Sequence, residues 1–306
     1  MSVVRAFFAL LIFPGLLYAL PVGWLMMGIA RKLKARCQRR IGPPLCQPFW
    51  DAVKLLAKIP VRRRSNEVPL YIGLPLMAVA TAVGALAMLP VFRGESSFVG
   101  DMIVLVGLLE MPPLCFILAG YASRSIYGEV GATREAVVSI ASNVPFLAAL
   151  VAMGTAAGSM RISQIVSSTP WIVRVPALLT ILFCMPIKMR LNPFSLANAE
   201  QEVLAGPLTE FDGPRLGLWE IAHALEWVAL TGFTVALAIP VRSGLWYVDA
   251  PVFVLLSIAL VVPLTLLASA TGRLKLGQAT RLMWKWGGAA AVLALAAAFF
   301  VRGGGH

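Results

Sequence analysis

The chain has 306 residues, 59% of them hydrophobic and 13% charged, and a formal net charge of +12. A soluble domain carries about 25% charged residues, so a water-covered globule is excluded and lipid is the expected solvent. The basic excess lies in loops between apolar runs, which excludes a nucleic-acid-binding face and reads as membrane topology.

Apolar runs lie near 6–29, 69–91, 101–122, 136–157, 172–189, 219–240, 250–271 and 284–301. Each is long enough to cross a hydrocarbon core about 30 Å thick at roughly 1.5 Å per residue. The first run is too long for the apolar core of a secretory signal and lacks a clear small-residue cleavage site, so it reads as a retained helix. The fifth holds Pro176 and Pro186, and needs neighbouring helices to satisfy the freed backbone groups. The expected fold is an all-α integral membrane protein, a single polytopic domain over 1–306, with about eight transmembrane helices.

Four loops follow the odd-numbered runs: 31–68, 123–135, 190–218 and 272–283. Counted with Lys188 and Lys285 at their edges, they hold 20 of the 26 Lys and Arg; the remaining 6 lie on the other side. That bias places these loops in the cytoplasm and both termini outside a bacterial or archaeal inner membrane. In the first loop, Asp51, Lys54 and Lys58 recur at helical spacing while Phe49, Val53 and Leu56 lie elsewhere on the wheel. This predicts an amphipathic interfacial helix over Gln47–Lys58. The third loop is acidic, with Glu200, Glu202, Glu210 and Asp212; topology alone does not require that.

Candidate functional residues also lie in the runs. Glu110 sits within the third, followed by Pro112-Pro113. A carboxylate at membrane depth is costly and reads as functional by default, and the double proline predicts a loosened helix beside it. Glu220, His223 and Glu226 follow at i, i+3, i+6, where adjacent members can meet and His titrates near neutrality. Glu135 at the start of the fourth helix suits the helix dipole. Cys37, Cys46, Cys115 and Cys184 form no CxxC pair and His occurs twice, so no metal site is expected.

Three stretches carry a resemblance. They are Gln38-Arg-Arg-Ile-Gly-Pro43 with Leu45-Cys-Gln47 and Asp51-Ala-Val-Lys54; Gly131-Ala-Thr-Arg134-Glu135; and Asn192-Pro-Phe-Ser-Leu-Ala-Asn-Ala-Glu200-Gln-Glu202, continuing to Gly206-Pro-Leu-Thr-Glu210-Phe-Asp-Gly213. They resemble the membrane-embedded H subunit of respiratory complex I and its relatives in membrane-bound group 4 nickel-iron hydrogenases. Gly206-Pro-Leu-Thr-Glu210 and the tail Gly272-Arg-Leu-Lys-Leu, with Thr280-Arg-Leu-Met-Trp284, are closer to the hydrogenase branch. That branch includes the formate hydrogenlyase membrane subunit and hydrogenase-4 component C.

The resemblance implies a non-catalytic coupling subunit of an oxidoreductase complex, between a peripheral redox module and an ion-translocating membrane arm. Its implied partners are hydrogenase-like large and small subunits, which hold the nickel-iron and iron–sulfur centres, and antiporter-like membrane subunits. It implies coupling or proton relay for Glu135, Glu200, Glu202 and Glu210, beside Glu110, Glu220, His223 and Glu226. It implies docking of the redox arm by Arg36, Arg40, Asp51, Lys54, Arg134, Asp212 and Arg215. The chain also departs from the complex I pattern: Asn143, Ser195 and Asn198 stand where that pattern has acids, and His223 where it has Glu. Asn and Ser carry no ionisable proton, which puts the complex I proton route in doubt. Two other readings stay open: a quinone-site subunit of a respiratory complex, the one reading on which a quinone is expected, and a passive membrane anchor for a soluble enzyme. A stand-alone transporter would show repeated halves with paired broken helices, and no such repeat is visible.

Overall fold

The structure is a computed structural model that describes residues 15–60, 69–89, 98–197, 202, 204–239 and 246–303. Glu200 and Asn198 therefore lie outside the described residues. The helices are α1 (Leu16–Cys37), α2 (Gln47–Leu56), α3 (Pro69–Met88), α4 (Asp101–Ala122), α5 (Ile126–Ala157), α6 (Ile162–Ser168), α7 (Trp171–Lys188), α8 (Gly213–Ala238) and α9 (Trp246–Ala270). The last, α10, joins Leu276–Leu282 and Gly288–Gly303 through a π turn at Met283–Gly287. A 3-10 turn, Gly206–Glu210, precedes α8.

The chain is an all-α, multi-pass membrane protein. Among the described residues seven helices are long and apolar enough to cross a membrane: α1, α4, α5, α7, α8, α9 and α10. The run expected over 69–91 forms α3, whose apolar part Ile72–Met88 is shorter.

Several boundaries differ from the hydropathy reading. Helix α1 continues to Cys37, so Arg31 to Arg36 are helical rather than part of a loop. Helix α5 starts at Ile126, so the expected loop 123–135 shrinks to a turn. Likewise α8 begins at Gly213 and α10 at Leu276, inside the expected loops 190–218 and 272–283. The reason is common to all four. Hydropathy measures the lipid-crossing part of a helix, whereas backbone hydrogen bonding continues through polar turns that face water or protein. Pro112 and Pro113 do not break α4, which runs unbroken from Asp101 to Ala122.

Helix α8 is the axis of the bundle. Of its membrane-length window 83% is buried, against 22% for α10, which separates a central helix from a peripheral one. It touches α1, α2, α3, α4, α7 and α9. Small residues make this close packing feasible, as is usual between helices in lipid. A Cβ at Gly23 of α1 would lie 2.4 Å from the Ala224 carbonyl oxygen of α8. Helix α10 packs outside on α5 and α7, and α9 on α1.

The 3-10 turn seats on the start of α5. Its Gly206 has φ +56, and a Cβ there would lie 2.2 Å from the Ala197 carbonyl oxygen. Gly206→Ala is expected to lower stability by about 1–3 kcal/mol, from overpacking and a left-handed backbone together, read as an earlier thermal transition in detergent.

Candidate functional site

Two groups of charged side chains meet around the end of α7. In the first, Lys188 of α7 donates from Nζ to Glu110 Oε1 of α4 and to Asn143 Oδ1 of α5, the latter at 2.8 Å. Asn143 Nδ2 donates to Glu110 Oε2 at 2.9 Å, which closes the ring. The Lys188 side chain is 5% exposed and its ammonium lies 4.3 Å from the Phe146 ring centre. The amide of Asn143 suits this place, since it accepts from the cation and donates to the carboxylate at once.

The second group centres on Arg190. Its Nε is 3.3 Å from Glu135 Oε1 of α5 and its Nη2 is 3.7 Å from Glu226 Oε2 of α8. The guanidinium also stacks on Phe116, 4.1 Å from the ring centre, a favourable cation–π geometry. His223 Nδ1 is 3.4 Å from Glu226 Oε2, and Trp227 Nε1 donates to His223 Nε2 at 3.2 Å. The indole N–H can only donate, so Nε2 is the acceptor of this contact and Nδ1 is the ring nitrogen that faces Glu226. Glu226 and Glu135 are 2% and 7% exposed.

Helix-end chemistry places Arg190. Leu191 N–H bonds the Pro186 carbonyl at 2.7 Å and Arg190 N–H bonds the Ile187 carbonyl at 2.9 Å. This is a Schellman ending of α7, in which Arg190 takes the left-handed position, φ 52, usually given to glycine. A non-glycine residue there costs about 1–2 kcal/mol. Such an outlier at a buried ionic cluster is a pointer to function. The strained residue is the one that bridges two buried carboxylates.

The Arg190 group sets two carboxyl groups against one guanidinium. The Lys188 group is already balanced. Lys188 and Arg190 are two residues apart along the backbone.

Of the residues singled out in the sequence, Glu110, Glu135, His223 and Glu226 enter these groups. Glu220 has no ion-pair partner among the described residues. Three helical steps turn about 300°, so His223 reaches one neighbour on its wheel and here takes Glu226. Arg134 pairs with Glu202. Asp51 accepts from Arg31 at 2.8 Å and Gln47 at 2.9 Å, which pins α2 to α1. Asp212 and Arg215 form an i,i+3 pair at 3.8 Å. Arg36, Arg40 and Lys54 are exposed, and Glu210 ends the 3-10 turn. Sequence reasoning missed Lys188 and Arg190, which it counts only as topology charges. The signal was the cost of leaving the Glu110 carboxylate at membrane depth without a cation. Among the described residues no group of three or more His, Cys, Asp or Glu comes together to hold a metal.

The family described as NADH dehydrogenase matches residues 9–299. The chain belongs to this family, which takes in the H subunit of complex I and the hydrogenase-4 membrane subunit. Within the family, hydrogenase-4 component C of Escherichia coli is 32% identical over 223 residues, covering 71% of this chain and 70% of that protein. Formate hydrogenlyase subunit 4 of Escherichia coli is 28% identical over 274 residues, covering 85% and 89%. The H subunit of the NADH-quinone oxidoreductase of Neisseria meningitidis is 32% identical over 226 residues, covering 67% and 63%. The fold is shared with a chain of the membrane-bound sulfane sulfur reductase, an archaeal respiratory membrane complex. There the TM-score is 0.86 at 27% identity, over 96% of this chain and 99% of that one.

Proposed function

We propose that the chain is the membrane-arm coupling subunit of a respiratory, hydrogenase-type oxidoreductase complex. It docks a peripheral redox module and passes protonation changes into the membrane arm. The observation that carries this reading is the strained Arg190 bridge, which joins Glu135 and Glu226 and shares its backbone segment with the Lys188–Asn143–Glu110 ring. A purely passive anchor gains nothing from charged groups buried at this density, each of which costs desolvation.

In this reading the docked module faces the loop side of the bundle. Arg36, Arg40 and Lys54 offer exposed cations to it, Asp51 holds α2 in place, and Arg134, Asp212 and Arg215 complete the surface. Protonation of the Arg190 group neutralises it and loosens the guanidinium. The Lys188 pair then repartitions, and Glu110 becomes free to exchange a proton with the membrane interior. Glu202 and Glu210 line the approach, Glu200, outside the described residues, shares the relay role that the resemblance implies, and Glu220 stands one turn before His223. Nickel-iron and iron–sulfur centres belong to the partner subunits, and antiporter-like subunits carry the ion. The membrane is the bacterial or archaeal inner membrane, with both termini outside and α2 lying at its interface. The relation to the NADH-quinone oxidoreductase chain supports a second reading, in which the same chamber takes a quinone.

The test is isolation of the intact assembly from native membrane in mild detergent, with its subunits identified by mass spectrometry. A nickel-iron large subunit with an iron–sulfur small subunit is the expected set, and it should dissociate from an Arg36→Glu/Lys54→Glu variant. A partner set without any redox subunit overturns the proposal. Redox partners with quinone-dependent turnover select the second reading.

A further inference from the structure

Glu226 of α8 is held between two donors and closed onto neither. Arg190 Nη2 lies 3.7 Å from its Oε2 and His223 Nδ1 lies 3.4 Å from the same atom. Both exceed the roughly 2.7–2.9 Å of a charge-assisted bond. Its Oε1 is buried and has no hydrogen-bond partner among the described residues. A carboxylate that is 2% exposed is costly to leave so loosely held. Its place therefore depends on which donor draws it more strongly.

The imidazole is the donor whose strength can change. Trp227 Nε1–H donates to His223 Nε2 at 3.2 Å, and the two rings meet edge to face with centres 5.9 Å apart. That bond exists only while Nε2 keeps its lone pair free of a proton. The His223 side chain is 22% exposed, so water can deliver a proton to the ring. Trp227 borders a cavity of about 290 Å³, which gives the indole open space on that side.

We infer that His223 is a proton-operated positioning residue, which draws Glu226 away from Arg190 when Nε2 takes a proton from water. An N–H bond forms at Nε2, and the Trp227 hydrogen bond breaks because both partners are then donors. The ring becomes a cation, and its Nδ1–H bond to Glu226 becomes charge-assisted. Glu226 closes on His223, and Arg190 is left with Glu135, 3.3 Å from its Nε. Loss of the proton to water reverses each step. In the functional reading above, on which this rests, Nε2 of His223 is the atom at which protonation enters the Arg190 group.

Other charges face this corner from the surrounding elements. Glu135 faces it from α5, and Arg31 and Lys34 of α1 and Arg273 beyond α9 line the cavity that Trp227 borders. Glu220 stands one turn earlier on α8, and Lys188 and Glu110 are engaged with each other. Helix α2 meets α8 at Gly217, nearly two turns away, and α3 carries no charged residue. These groups set where the ring titrates. They leave untouched the rule that Nε2 serves either the proton or Trp227.

The experiment uses the full chain reconstituted in lipid, with isotope-labelled histidine and tryptophan followed by solid-state NMR from about pH 5 to 8. The chain has two histidines, so His306→Asn leaves His223 as its one imidazole, and Trp227→Phe identifies the indole signal. The Trp227 N–H is expected to shift on the same pH curve as the His223 ring. On the acid side it should exchange with solvent about three- to tenfold faster, the factor that one lost hydrogen bond represents. In His223→Gln the side-chain carbonyl accepts from Trp227 at every pH, so the indole signal should stay fixed. An indole signal that ignores the imidazole titration overturns the inference, as does the same shift in His223→Gln. A ring that takes up no proton across this range overturns it too. In the native assembly in proteoliposomes, His223→Gln should keep redox turnover and lower the protons moved per electron by about tenfold or more. Full proton movement in that variant overturns the inference. A parent assembly that turns over and moves no protons sinks the functional reading alone, since the NMR result decides the role of His223 by itself.

Discussion

Arg190→Ala is expected to destabilise the folded chain by about 3–5 kcal/mol, the usual cost of removing one partner from a buried ionic group. Glu135 and Glu226 would lose the one cation that bridges them, at sites 7% and 2% exposed. Arg190→Gly separates charge from backbone. Glycine adopts φ 52 freely, and a side chain there costs about 1–2 kcal/mol. The glycine variant should therefore be more stable than the alanine variant by about 1 kcal/mol and still less stable than the parent. Arg190→Lys keeps the charge and loses the planar fork that reaches two carboxylates, so it should fall between the glycine variant and the parent. Thermal and denaturant unfolding in one fixed detergent mixture would order the four proteins. A glycine variant as stable as the parent would show that the carboxylates do not depend on Arg190.

The second large effect concerns Glu110 and Lys188. Lys188→Met leaves Glu110 facing only an amide, and Glu110→Gln leaves an ammonium with two amides. Each single change should cost about 3–5 kcal/mol. The double variant, Glu110→Gln/Lys188→Met, removes both charges together. It should lose less than the sum, with a coupling energy of roughly 1–3 kcal/mol. On the proposed function this double variant folds and assembles but does not acidify proteoliposomes during turnover. Strictly additive losses in the two singles would show that the pair is not held in contact. Normal acidification by the double variant would remove Glu110 from the proton route.

Much of the architecture was legible because lipid imposes one simple rule: a helix must keep an apolar run across the membrane. The run expected over 101–122 coincides with α4. The start of α5 was illegible for the same reason, since Glu129, Arg134 and Glu135 lower the hydropathy of ten residues that are nonetheless helical. The π turn at Met283–Gly287 left no mark that periodicity could read. At the site, carboxylates at membrane depth announced themselves by their cost. The two cations did not, because a basic residue at a helix end has a bland explanation in topology. Sequence distance hid the pairing as well. Lys188 lies 78 positions from Glu110, and only the packing of α4 against α5 and of α5 against α7 brings them together.

Asn143 sets the charge balance of the site. Lys188 and Glu110 already balance one another, and the amide closes their ring without adding charge. An acid at 143, as the complex I pattern has it, would set two carboxylates against one ammonium. The ring would then need a proton to stay neutral, and a sealed pair would become a group that must titrate. The single amide at 143 thus decides whether the cluster neutralises itself or carries one negative charge in excess.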